Sequence, residues 1–305
     1  MTTVGRNVPV AAVAESTARF KRHRRNETNR KLKGWRLVMR YVVLVLVLIF
    51  MLGPIFVPLI AAFKSPSEPV FGQGATLFPQ TWSLDAFYEI FEKTNLPRAI
   101  MNSLTIGLLA VFSHCTLATV GGYMLSRRGW TLRNIAYLVI LSAMIFPFES
   151  IMLSLFSMMN SIGLYDSIIG VWLPGLLGPL HLLLMRAAFL GIPEEIEDAA
   201  FIDDAGEFRR FWSIFLPQVK GALTIVGLTS FIYAWSDFLW PLLMLRSAEN
   251  QTMMLALNSP QESAPGTTYR TILAGAIIAL APVLLLFAFT QRYFFRGIEE
   301  GGLNF

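Results

Sequence analysis

The chain alternates between long apolar stretches and short polar ones. Its long apolar windows predict six spans, at about 39–63, 98–125, 134–157, 164–190, 219–245 and 271–295. Each matches or exceeds the ~20 residues an α-helix needs to cross the hydrocarbon of a bilayer. The pattern therefore predicts an all-α polytopic membrane protein with six transmembrane helices. It divides into a basic tail (1–38), a first span (39–63), an outer loop (64–97), a five-span core (98–296) and a short tail (297–305). The first apolar run lies too far from the start, and is too long, for the core of a secretory signal, so it reads as a retained membrane helix.

The longest polar interruption of the core runs from Ile192 to Pro217, within a loop at 191–218. Pro193 suits the first position of a helix, where a missing N–H costs nothing. Glu194 and Glu195 then fall in the first turn, where the helix dipole favours acids. Ile196, Ala199 and Ala200 share one face, and the small alanines on it allow another backbone to approach closely. Asp203-Asp204-Ala205-Gly206 breaks this helix. A second follows, with Phe208, Phe211, Trp212 and Phe215 spaced as an aromatic stripe. Pro217 marks the entry to the next span. The prediction is a helix–turn–helix elbow offering acidic, small and aromatic surfaces. A helix lying on the bilayer is the plainer alternative, but the first helix is acidic and small where such helices are basic and bulky.

Composition agrees with the span pattern. The 305 residues are 54% hydrophobic and 15% charged, against about a quarter charged in soluble domains. Most of the 25 Lys and Arg residues fall on one side of the spans: in the tail, at Arg127, Arg128 and Arg133, around the elbow, and at Arg292 and Arg296. Lys64, Lys93, Arg98, Arg246 and Arg270 fall on the other. Basic residues stay on the cytoplasmic side, so both termini and the elbow are expected in the cytoplasm, with the protein multi-pass in the cell membrane. The net charge of +5 follows this topology and does not point to nucleic acid. The basic tail either binds anionic lipid or only sets orientation. The single cysteine, Cys115, excludes an intrachain disulfide and any Cys-rich metal site. Outside, residues 64–97 combine a Pro- and Gly-rich half with an amphipathic helix at Leu84–Lys93. Residues 246–270 are polar at both ends around an apolar centre. Either loop is a connector or a contact for an outside partner.

No lysine follows a glycine, so the phosphate-binding P-loop is missing. There is no G-x-S-x-G elbow. His23, His114 and His181 are not at metal-ligand spacing. No metal site, cofactor site or catalytic residue is expected in this chain. Ionisable groups at membrane depth mark function by default. Glu149 follows Pro147, which is expected to bend its span; it lines a solvated path or pairs with a neighbouring helix. His181 follows Pro174, Gly175, Gly178 and Pro179, which should break its span; it faces a cavity or is a packing histidine. Asp237 lies between Trp235 and Trp240, tryptophans that suit an interfacial belt; it is local structure, or a gate or ligand contact.

The elbow resembles the cytoplasmic loop of ABC-importer permeases, whose pattern is E-A-A, three residues, Gly, nine residues, Ile-x-Leu-Pro. Asp198, Ala199 and Ala200 take the first three positions, and Ile214, Leu216 and Pro217 the last. Asp198 replaces Glu. Asp204 stands at the Gly position, and Gly206 is close enough to take the turn instead. SIGLYDSIIGVWLP, FIYAWSDFLWPLL and QRYFFRGIEEG are similar to the carbohydrate-uptake branch, the maltose- and glycerol-phosphate-type second permease, with Ser236 where Asn is common. The resemblance implies one membrane subunit of an importer for a sugar or sugar derivative. It would work with a second permease, two ATPase subunits carrying ATP and Mg, and an extracytoplasmic solute-binding protein. Glu195, Asp198, Ala199, Ala200, Asp204, Gly206, Phe208, Phe211, Trp212 and Pro217 would then couple to the ATPase. Glu149, His181 and Asp237 would line the translocation path. An ion-gradient-driven transporter and a non-transporting membrane scaffold are the rival classes.

Overall fold

The computed structural model describes residues 34–127, 131–258 and 268–301, with side chains as far as Gln291. The basic tail up to residue 33, Arg128, the stretch 259–267 of the second outer loop, and residues 302–305 lie outside the described residues. So do the side chains of Arg292, Arg296 and the rest of that closing motif. The described chain is helical, and by contact it divides into two units at Val57–Pro58. The first unit contributes most of α1 (Trp35–Ala61), a helix that is apolar all round beyond Arg40. Such a helix suits surroundings that are apolar on every side.

The second unit is organised on α3 (Leu96–Ser126), which packs against both α7 (Pro179–Leu190) and α10 (Lys220–Ser236). Small residues on α3 permit this. A Cβ on Gly122 would stand 2.7 Å from Met185 Cβ and 2.8 Å from the Arg186 backbone nitrogen. A Cβ on Gly107 would meet the Phe231 ring at 2.9 Å. Close backbone approach through small residues is how membrane helices gain packing contacts without a hydrophobic force between them.

Three predicted spans are broken. α4 (Arg133–Ala143) and α5 (Phe148–Ser161) meet at 95°, with Pro147 extended just ahead of α5 at φ −65°, ψ 137°. The proline offers no N–H to continue the helix and disfavours helical geometry in the residue before it. α6 (Ile168–Trp172) runs into a 3₁₀ turn at Leu173–Gly175, and α7 then starts at Pro179 with a 44° bend. The span predicted at 219–245 stops at Ser236 and resumes as α11 (Leu239–Met244). Among the described residues three helices are long and apolar enough to cross a membrane, or up to six if each bent pair is one span, the third such pair being Glu207–Gln218 with α10 at 77°.

Trp235 and Trp240 do not form an interfacial belt. Both are buried; Trp235 Nε1 donates to the Ala279 carbonyl at 3.0 Å, and Trp240 Nε1 to the Val171 carbonyl at 3.1 Å. A buried indole N–H needs an acceptor, and a carbonyl on another helix supplies it here. The apolar centre of the second outer loop is also core. α12 (Met253–Asn258) buries Met253, Leu255 and Ala256. Asn102 on α3 anchors its approach by donating to the Glu249 and Gln251 carbonyls.

The first outer loop closes on itself. Buried Lys64 donates through Nζ to the Pro69 and Thr76 carbonyls, at 3.0 and 2.6 Å. The Glu68 carboxylate accepts from the backbone of Gln80 and Thr81, which draws its pKa down to about 2. The amphipathic helix expected next is α2 (Asp85–Lys93), with Ala86 and Ile90 buried. Burial pushes Glu89 on α2 up, but its bonds from Arg270 and Thr271 on α13 (Tyr269–Gly301) outweigh this and hold it below the usual carboxylate range.

Candidate functional site

The elbow consists of α8 (Glu194–Ile202) and α9 (Glu207–Gln218). Pro193 sits one place before the helix, as its N-cap, and not at the first helical position. Glu194, Glu195 and Glu197 occupy the first turn. The helix ends in a hydrogen-bonded C-terminal clasp. The Asp204 N–H donates to the Phe201 carbonyl, and the Ala205 N–H reaches back to the Ala200 carbonyl, at 3.1 and 3.0 Å. This clasp needs a left-handed residue after the C-cap, usually glycine. Asp204 supplies it, at φ +48°. Gly206, at φ −59° and ψ 158°, does not take the turn but starts α9. Asp is among the few L residues that tolerate this region. Asp204→Gly is expected to raise stability by about 0.5–1 kcal/mol and Asp204→Val to lower it by about 1–2 kcal/mol. Thermal unfolding of the purified protein in detergent measures both.

The aromatic stripe does not stay on one face. A turn of π-helix at Arg210–Phe215 widens the spiral. Phe211 and Phe215 turn inward onto Tyr123 of α3, with ring centroids 5.0 and 5.5 Å away. Phe208 and Trp212 stay exposed, at 77% and 52%. α8 divides likewise: Ala200 is buried, whereas Glu195, Asp198 and Ala199 are exposed. Ala200 therefore holds the elbow to its own chain and offers no face to a partner. Pro217 is exposed where α9 nears α10. Phe201 and Ile202, exposed at 58% and 85%, extend the outward apolar surface beyond the residues named from sequence.

Arg127, which reads in the sequence only as a topology marker, ties the elbow to the end of α3. Its Nη1 donates to Glu197 Oε2 at 2.7 Å, and its Nη2 to the Phe189 carbonyl at 3.0 Å. Its guanidinium lies 4.3 Å from the centroid of the Phe215 ring. One side chain thus grips α7, α8 and α9. Tyr123, one turn earlier, donates to Glu207 Oε1 at 2.6 Å. The elbow is thus fastened to α3 through Glu197 and Glu207, with Glu195, Asp198 and four apolar side chains facing out.

The three helix breaks meet at a second feature, a cavity of about 640 Å³. Irregular backbone at membrane depth is tolerated where it lines a cavity. Glu149, in the first turn of α5, lines it with no hydrogen bond or ion pair among the described residues. Asp237 also lines it, and its carboxylate accepts from the backbone of Phe238 and Trp240 at the start of α11. His181 does not line it. The His181 ring stacks behind His114, centroids 4.7 Å apart, with Nε2 3.0 Å from Thr229 Oγ1. It is the packing histidine. His114 is the one at the cavity, its Nε2 donating to the Gly175 carbonyl at 2.6 Å. Spacing along the chain gave no sign that these histidines meet, because they lie on different helices.

Residues 118–300 match the family described as the binding-protein-dependent transport system inner membrane component. The chain is 32% identical to the arabinooligosaccharides transport system permease protein AraQ of Halalkalibacterium halodurans, over 89% of this chain and 96% of that one. It is 30% identical to the maltodextrin transport system permease protein MdxG of Bacillus subtilis, over 86% and 94%. Among solved structures, the fold is similar to a chain of a bacterial ABC transporter that imports the acidic polysaccharide alginate. That match has a TM-score of 0.74 and 20% identity, and covers 84% of this chain and 95% of the other.

Proposed function

Because this chain belongs to the family of binding-protein-dependent transport system inner membrane components, we propose that it is a membrane subunit of an ATP-driven importer for a saccharide. Six spans carry it through the membrane, with both termini and the elbow in the cytoplasm. The observation that carries the reading is the elbow: a preformed helical body, fastened to α3 through Arg127 and Tyr123, with Glu195, Asp198, Ala199, Phe208 and Trp212 turned outward. A separate ATPase, holding ATP and Mg, docks on that face. Its closure moves the elbow as one piece, and the motion passes into α3, α7 and α10. This is a ligand-biased two-state change transmitted through rigid elements. A second permease completes the path, and a solute-binding protein delivers the saccharide from outside. The relatives' names support a saccharide, since one is a permease for arabinooligosaccharides and another for maltodextrin.

Gentle purification tests this directly. An ATPase and a second permease should accompany the chain in fixed proportion; recovery of a lone, monodisperse protein overturns the proposal. Ala199, exposed on α8, gives a sharper test. Ala199→Trp is expected to cut ATP-dependent uptake at least about tenfold while the spans stay folded, since one misfitted side chain in a packed interface costs about 1–3 kcal/mol. Normal uptake by that variant, measured in whole cells, overturns the docking assignment.

A further inference from the structure

The charge of the cavity lining identifies a class of cargo. Glu149 and Asp237 both line it, and none of its lining residues is Lys or Arg. Phe148, Trp172, Tyr233 and Trp240 supply aromatic surface to the same space. Two features make this a formed site. The cavity is lined by residues from all three helix breaks. Asp237 accepts from the backbone of Phe238 and Trp240, whereas Glu149 makes no hydrogen bond or ion pair with the described chain and keeps its acceptor oxygens free for a guest.

Binding pockets are largely apolar and aromatic, with a few placed polar groups that set orientation. Here the carboxylates in the lining, Glu149 and Asp237, are acceptors. A carboxylate accepts only, so it suits a guest that presents hydroxyl donors. Aromatic rings give flat apolar surface against the C–H faces of a sugar ring. A phosphate or uronate would bring a further negative charge beside those of Glu149 and Asp237, with no Lys or Arg in the lining to offset it, and like charges held close together repel. We infer that this cavity is a cargo subsite for saccharides without negative charge, that Glu149 is its specificity-determining acceptor, and that its two carboxylates exclude sugar phosphates and uronates. The inference rests on the importer reading above and narrows its cargo.

The experiment uses the complete transporter, co-purified with its partner subunits and reconstituted in proteoliposomes with ATP inside. Uptake is measured for maltotriose, lactose and arabinotriose as neutral probes, and for sn-glycerol 3-phosphate and an alginate trisaccharide as anionic ones. At least one neutral probe is expected to enter at ten times the rate of either anionic probe or more. Glu149→Gln, in complexes that assemble with the same subunit proportions, should raise the KM for that neutral probe at least fivefold, since the amide turns two acceptors into one acceptor and one donor group. Glu149→Lys should narrow the neutral-to-anionic ratio. An anionic probe entering as fast as the neutral ones overturns the inference, as does a Glu149→Gln transporter with KM within twofold of the original. Failure of the importer reading looks different: no probe of either charge then enters in an ATP-dependent way.

Discussion

Arg127→Ala is expected to cut ATP-driven uptake severely while leaving the spans in place. The guanidinium bonds Glu197 on α8 and the Phe189 carbonyl on α7, and it covers the Phe215 ring on α9. Removing one partner of a fully buried charged pair costs about 3–5 kcal/mol. The side chains of this pair are 15% and 23% exposed, so solvent screening lowers the figure to about 2–3 kcal/mol. That loss falls at the joint where the elbow meets the ends of α3 and α7, away from the middle of the α3–α7–α10 core. The variant should therefore keep its detergent melting profile within a few degrees, yet its elbow should become sensitive to protease between 191 and 218. Uptake should fall more than about tenfold. Arg127→Lys should not restore it, because an ammonium cannot make the forked pair of bonds and cover the ring together. Unimpaired uptake with Arg127→Ala would show that the elbow's motion reaches the spans by another route, with Tyr123 and Glu207 the remaining link.

The largest effect on stability is expected from the smallest addition, Gly122→Ala. The new Cβ would lie under 3 Å from Met185 Cβ and from the backbone of Met185 and Arg186. A flexible side-chain tip can swing away from such a contact, but backbone inside a helix cannot, so α3 and α7 must separate. Overpacking of this kind costs about 1–3 kcal/mol, and backbone clashes lie at the upper end. Gly221→Ala is the matched control. It lies in α10 with nothing within 4 Å of an added Cβ, and replacing a helical glycine there should stabilise by about 0.5–1 kcal/mol. Thermal unfolding in detergent should order the proteins as Gly221→Ala, unmodified, then Gly122→Ala. If Gly122→Ala melts with the unmodified protein, the helix crossing is looser than these distances describe.

Much of the elbow was legible beforehand because its signals are local. The acidic first turn, the Asp-Asp-Ala-Gly break and the aromatic spacing each depend on neighbours within a few residues. The sequence left open whether Asp204 or Gly206 takes the left-handed turn, since both tolerate it; the hydrogen bonds back to Phe201 and Ala200 place it at Asp204. The π-turn was not legible. It shifts side chains by a fraction of a turn, and only the packing of Phe211 and Phe215 on Tyr123 shows that they face inward. Trp235 and Trp240 misled for a related reason. An indole suits both a membrane interface and a core with a carbonyl to accept its N–H, and composition does not separate the two.

By itself the sequence determined that the chain is helical and membrane-embedded, that it carries a charged helical elbow, and where prolines interrupt it. These follow from apolar run length and from residues whose backbone limits act at their own position. Only the tertiary structure decided which of those residues meet. It brought Glu149 and Asp237 to one cavity, put His114 there in place of His181, and made Arg127 the clamp of the elbow. These are contacts between helices far apart in the chain. The packing of α3 against α7 and α10 selects them, and that packing depends on where glycine lets two backbones approach.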